Sequence, residues 1–198
     1  MIESLEKIMD EISSIEKRRE EILKGNRDVL MYCRKAIVST HLTKMEEALH
    51  YIELAEKKHK ELKEYAKDDL YYYLIAAEVE IVEAKALYAI YIDSRLPSYD
   101  EMNVKGSSYI LGLLDCIGEM KRIVLDLLRS DRYERAQDIF RKMEEMYSAL
   151  IQFAAYDNII QGVRKKLDQD RMIVESVREV ITEESRRKIF LNELRDAI

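Results

Sequence analysis

Residues 2–38 read IESLEKIMDEISSIEKRREEILKGNRDVLMYCRKAIV, and Leu5, Ile8, Ile12, Ile15, Ile22, Val29, Leu30, Ile37 and Val38 recur through them. These are helical intervals, sustained for about ten turns. A helix of that length projects beyond any core that a chain of 198 residues can build. Gly25-Asn26 is where it would kink if it kinks, but one glycine costs only about 1 kcal/mol in a helix interior, so the reading is a single long helix. Its charged back carries Lys17, Arg18, Arg19, Arg27, Arg34 and Lys35, which suit either a solvated face or a basic patch.

The rest of the chain follows the same pattern. Only five glycines, one proline and no tryptophan leave few connections and almost no room for strands. Thr43 and Glu46 have the spacing of a capping box for a second helix through Tyr65, with Ala48, Ile52, Ala55 and Leu62 inward. His41, His50 and His59 lie nine residues apart, so no two share a face where one metal could reach both; they read as surface or partly buried side chains. A third helix, capped by Asp68 or Asp69, runs to Ser94 and is apolar nearly all round. Residues 95–106 form a loop around Pro97. Ser107 or Ser108 caps a fourth helix whose core face is Ile110, Leu113, Leu114, Ile117, Val124, Leu127 and Leu128. After the turn at 129–132 come a fifth helix to Ala154, a sixth from Asp157 to Ile181 and a short seventh from Thr182. The expected fold is all-α: one domain over residues 1–198, an elongated bundle of about seven helices without internal repeats.

Hydrophobic residues at 47% and charged residues at 36% suit a sizeable core under a solvated surface. The net charge of −6 supplies no global field for nucleic acid, so a polyanion needs a local basic patch. Cys33 and Cys116, far apart in apolar stretches, read as reduced, buried thiols. With no basic-apolar leader and no run of about eighteen apolar residues, the expectation is a cytoplasmic chain, mature from Met1, with no membrane partner.

No glycine-rich phosphate loop, HExxH, GxSxG or Cys/His zinc spacing is present. What remains is two acid pairs on apolar helices. Glu80 and Glu83 sit on the third helix beside Ala76, Ala84 and Leu87, where carboxylates are partly desolvated and need metal, protons or arginine. Asp115 and Glu119 sit on the fourth; that helix alone allows them simply to face water. Gly112 and Gly118 leave room for another backbone or a ligand. Glu78 lies further round the third helix and reads as a surface acid. If the two helices pack side by side, the four acids form a site for hard cations, and without an ExxH histidine an all-oxygen set selects Mg2+ or Mn2+ over redox iron.

Glu80-Ile81-Val82-Glu83-Ala84, Asp115-Cys116-Ile117-Gly118-Glu119-Met120-Lys121-Arg122 and Asn26-Arg27-Asp28-Val29 resemble the matching segments of the translin family, in particular its Trax branch. The resemblance continues through Val163-Arg164-Lys165-Lys166-Leu167 and Val174-Glu175-Ser176-Val177 and so covers nearly the whole chain. It implies subunits that assemble into a hollow, roughly octameric shell, and a divalent-metal-dependent endoribonuclease acting on single-stranded RNA. The Trax acids fall on Glu80, Glu83, Asp115 and Glu119, which are then both catalytic residues and Mg2+ or Mn2+ ligands; translin itself lacks the full set. The compact chain resembles prokaryotic or archaeal members, implying a homo-oligomer, with a hetero-oligomer containing a translin-like subunit as the alternative. Where translin has a His- and Arg-rich nucleic-acid-binding segment, this chain has Tyr71-Tyr72-Tyr73. RNA contact would then use stacking on Tyr72, with Arg27, Arg34, Arg122, Arg164 and Lys165 for phosphates, in a basic interior under an acidic exterior. Two rival readings are a non-catalytic scaffold for single-stranded RNA or DNA and a helical adaptor that pairs its first helix with a partner protein.

Overall fold

The chain builds α1 (Ile2–His41), α2 (Met45–Tyr65), α3 (Ile75–Tyr91), α4 (Gly106–Arg129), α5 (Tyr133–Leu150) and α6 (Val163–Asp196), with short 3-10 segments at Asp68–Leu74 and Ile151–Tyr156. This computed structural model describes residues 2–196, apart from the side chains of Asp68 and Asp69, so the cap expected there lies outside the described residues. Among the described residues there is no strand, as expected, and there are six α-helices rather than seven. The predicted sixth and seventh helices are one. Thr182 does not cap a new helix: its hydroxyl donates to the Arg178 carbonyl at 2.7 Å, the back-bond that lets threonine sit inside a helix.

The fold divides into two compact units, one comprising residues up to Tyr88 with Pro97–Gly112, the other Ala89–Leu96 with Leu113 onward. In the first, α2 packs on the C-terminal half of α1, where Ile22, Val29, Cys33 and Ala36 are fully buried. Every residue from Ile2 to Ser14 is exposed, so the N-terminal turns of α1 do project. The helix is unbroken at Gly25, whose purpose is different from a kink. A Cβ there would sit 2.4 Å from Leu62 Cδ2, so glycine is what lets α2 press against the α1 backbone. Next to it, Asn26 Nδ2 donates to the Tyr73 carbonyl at 2.7 Å and anchors the 3-10 segment. Gly112 acts alike. Its Cβ would lie 2.5 Å from the Val79 carbonyl oxygen and 2.6 Å from Val82 Cβ, so the expected close approach occurs there, while Gly118 has open space.

The capping box at Thr43 does not form. Thr43 has φ 59°, and the cap position of α2 is Lys44, which makes no side-chain cap. Instead Lys44 N–H donates to the Ser39 carbonyl at 2.9 Å and Thr43 N–H to the Thr40 carbonyl at 3.0 Å, a Schellman closure of α1 in which Thr43 takes the left-handed position. The same pair of bonds closes at Asp93, Asn103 and Asp131, with φ of 60°, 52° and 54°. This glycine-poor chain ends α1, α3 and α4 on Thr or Asp and closes the turn before α4 on Asn103.

In the second unit, Ala136, Ile139, Phe140, Met143 and Met146 of α5 and Val163, Leu167, Val174, Val177 and Ile181 of α6 are buried at helical intervals. Arg178 pairs with Glu144, and Lys188 with Glu134, both at 2.6 Å, to tie α5 to α6. The first turn of α6 is closed from outside: Asp157 Oδ1 accepts from Arg164 N–H at 3.0 Å across the Gly162 turn, so Asp157 caps the helix as expected, though the helix begins only at Val163. Both cysteines are buried and neither is in a disulfide. No helix among the described residues is long and apolar enough to cross a membrane.

Candidate functional site

In the first unit Glu80 and Glu83 are half-buried on α3, set among the buried Ile81, Val82 and Ala84. Their charges reach the Cys33 thiol on α1, which burial pushes well above its ordinary range, helped by Glu80, Glu83 and a third acid, Glu56 of α2. Glu56 is ion-paired with Lys85. This thiol therefore stays protonated and unreactive.

Glu78, expected at the surface, is fully buried. Ser108 Oγ donates to it at 2.6 Å and the Lys105 backbone N–H at 3.2 Å, Tyr71 Oη donates to its other oxygen, and His59 Nε2 and Lys63 Nζ stand at 3.5 and 3.9 Å. Burial alone would push the carboxyl up, but His59 beside it and the donors from Ser108, Tyr71 and Lys105 outweigh it and hold it at about 2. The physical reason for the misreading is that α3 has no solvated stripe, and that every partner of Glu78 comes from another segment. Ser108 serves Glu78 rather than capping α4, and His59 is buried beside an acid rather than partly exposed.

In the second unit Asp115 and Glu119 are half-buried on α4. Asp115 is ion-paired with Lys166 of α6, and Lys121 Nζ donates to Ser176 Oγ at 3.2 Å further along the same pair of helices. One turn on from Lys166, Asp170 is only 5% exposed, and its Oδ2 accepts no hydrogen bond among the described residues. Burial and the charge of Asp115 push its carboxyl up to about 7, against the pull of Lys166. Asp170 was open to discovery in the sequence: it stands in the buried register Val163, Leu167, Asp170, Val174, where an acid is out of place.

No three His, Cys, Asp or Glu side chains among the described residues gather into a ready-made cage for a metal. The donors nonetheless suit a hard cation. They are carboxylate oxygens, one of them buried and without a partner, and Mg2+ ordinarily takes one or two protein carboxylates and keeps several waters.

Of the residues expected to meet RNA, Arg27, Arg34, Arg122, Arg164 and Lys165 are all exposed. The three tyrosines have separate tasks. Tyr71 is bound to Glu78, Tyr73 accepts from Arg19 Nε at 2.7 Å, and Tyr72 is 60% exposed with its ring centroid 4.0 Å from that of Tyr73.

Residues 17–188 match the Translin family. The chain belongs to the translin family. Among its relatives, an uncharacterized protein of Methanocaldococcus jannaschii is 31% identical over 179 residues, covering 88% of this chain and 79% of that one. AfC3PO superposes with a TM-score of 0.87 at 27% identity over 94% of this chain and 99% of its own. AfC3PO in complex with duplex RNA gives 0.85 at 26% identity over 94% and 98%, and apo-NeC3PO 0.81 at 25% over 92% and 97%. The all-helical architecture of this translin-family protein is therefore the one seen in those structures.

Proposed function

We propose that this translin-family protein is an RNA-binding endoribonuclease dependent on Mg2+ or Mn2+, with Glu80, Glu83, Asp115 and Glu119 as its catalytic carboxylates and metal ligands. The observation that carries this reading is that both acid pairs are half-buried, with the second near a buried carboxylate, Asp170, whose Oδ2 accepts no hydrogen bond among the described residues. Acids that merely solvate a helix would be exposed. Family membership supports RNA as the ligand, since the similar AfC3PO has been seen with duplex RNA. A divalent cation bound to such acids supplies Lewis acidity toward a phosphodiester and eases deprotonation of water. The chain's own part is to bind divalent cation through carboxylates of these two pairs, to bind phosphates through Arg27, Arg34, Arg122, Arg164 and Lys165, and to stack a base on Tyr72. The protein acts in the cytoplasm as a homo-oligomer, an octamer by the family resemblance. The stripe of exposed Ile2, Leu5, Ile8 and Ile12 on α1 supports self-association.

The test is cleavage of labelled single-stranded and duplex RNA with and without Mn2+ or Mg2+. Wild type should cleave only with metal, and Glu83→Gln and Asp115→Asn should each lose at least about a hundredfold in rate. Full activity in both variants refutes the assignment. RNA bound but left intact by wild type establishes the scaffold reading instead, and a monomer by light scattering refutes the assembly.

A further inference from the structure

We propose that Asp170 of α6 is a further metal ligand, paired with Asp115 of α4, and that Lys166 is an internal cation holding this pair until a divalent ion displaces it. The proposal rests on the reading of Asp115 as a ligand, and its geometry is independent of the other acids. Lys166 and Asp170 are four residues apart on α6 and share one face of it. Lys166 reaches Asp115, and Asp170 feels the charge of both. One ammonium thus stands against the charge of two carboxylates. Asp170 is 95% buried, since only 5% of it is exposed, and its Oδ2 is left without a donor. An acid in that state is expensive to keep unless something satisfies it, because an uncompensated buried polar atom loses its hydration for nothing.

A dication balances two carboxylates where one ammonium cannot, and its oxygen preference matches the orphaned Oδ2. The side chain of Lys166 is 34% exposed, so its ammonium can swing to water when a metal arrives, whereas Asp170 has nowhere to go. Lys166 and the metal therefore compete for Asp115. This predicts opposite signs for two substitutions on the same helix face, a signature that a merely structural ion pair does not give.

The experiment measures Mn2+ binding to the full-length protein without RNA, by the electron paramagnetic resonance signal of free Mn2+. Loss of a group that only orients a ligand weakens a metal about tenfold to a hundredfold, so Asp170→Asn should weaken Mn2+ by at least about tenfold. Lys166→Met should tighten it severalfold. Unchanged affinity in Asp170→Asn, or weaker binding in Lys166→Met, overturns the proposal; the second measurement decides should Asp170→Asn not fold. Asp115→Asn separates the two readings. If it abolishes binding while Asp170→Asn leaves the affinity unchanged, Asp170 is no ligand and the proposed function stands. If Asp115→Asn has no effect either, the assignment of Asp115 falls as well.

Discussion

Replacing Glu78 with alanine takes away an acceptor that several segments share. Tyr71 Oη, Ser108 Oγ and the Lys105 N–H all lose their partner, in a place where Glu78 itself has no exposure, and His59 loses the charge 3.5 Å away. Each buried donor left unmade costs about 1–3 kcal/mol, and breaking a buried charge pair about 3–5 kcal/mol, with overlap between the two figures. A loss of about 3–5 kcal/mol is expected. At about 2–4 °C per kcal/mol for a chain of this length, Tm falls by about 6–20 °C. Glu78→Gln keeps one acceptor oxygen and should cost less. Acid titration isolates the charge. An ordinary glutamate sits near 4.5, and Glu78 is held at about 2, so its stabilisation is complete above pH 4.5 and disappears as pH falls toward 2. The full shift amounts to about 3 kcal/mol, of which about 2 kcal/mol is gone by pH 3. Urea unfolding at pH 7 and pH 3 measures both effects. Wild type should lose that much more than Glu78→Gln between the two pH values; equal losses, or an alanine variant within about 1 kcal/mol of wild type, would refute the reasoning.

Gly112→Ala should destabilise by about 1–3 kcal/mol in the same urea assay, because its methyl meets the Val79 carbonyl at 2.5 Å and backbone cannot step aside as a side-chain tip would. Tyr72→Ala, on the proposed RNA reading, should weaken single-stranded RNA by about 1–3 kcal/mol in fluorescence anisotropy while leaving Tm unchanged, since the ring is exposed.

The fold was legible where periodicity is long. The apolar spacing of α1 and the scarcity of glycine are enough for an all-α chain, and the boundaries of α2 and α5 follow nearly as read. The misreadings share a cause. Thr43 and Thr182 look like caps because threonine is a good one, yet the first closes the helix before it and the second bonds back within its own helix. Left-handed Thr43, Asp93, Asn103 and Asp131 carry none of the glycine signal that normally marks such ends. Among the acids, Glu80, Glu83, Asp115 and Glu119 stand out on apolar helices, while Glu78 does not, because its donors arrive from residues 71, 105 and 108. Periodicity says which face a residue takes on its own helix and nothing about what another segment brings to it.

The first half of α1 is the clearest helix in the sequence and the one least supported by its own subunit. From Ile2 to Ser14 every residue is exposed, which leaves about 20 Å of helix to stand on local hydrogen bonds. Isolated segments of that length are marginal in water, so their amides open with a free energy set by helix–coil statistics and not by the core. Exchange of those amides with deuterium is therefore a gauge of company: fast in a lone chain, slow if, as proposed, a second copy covers Ile2, Leu5, Ile8 and Ile12.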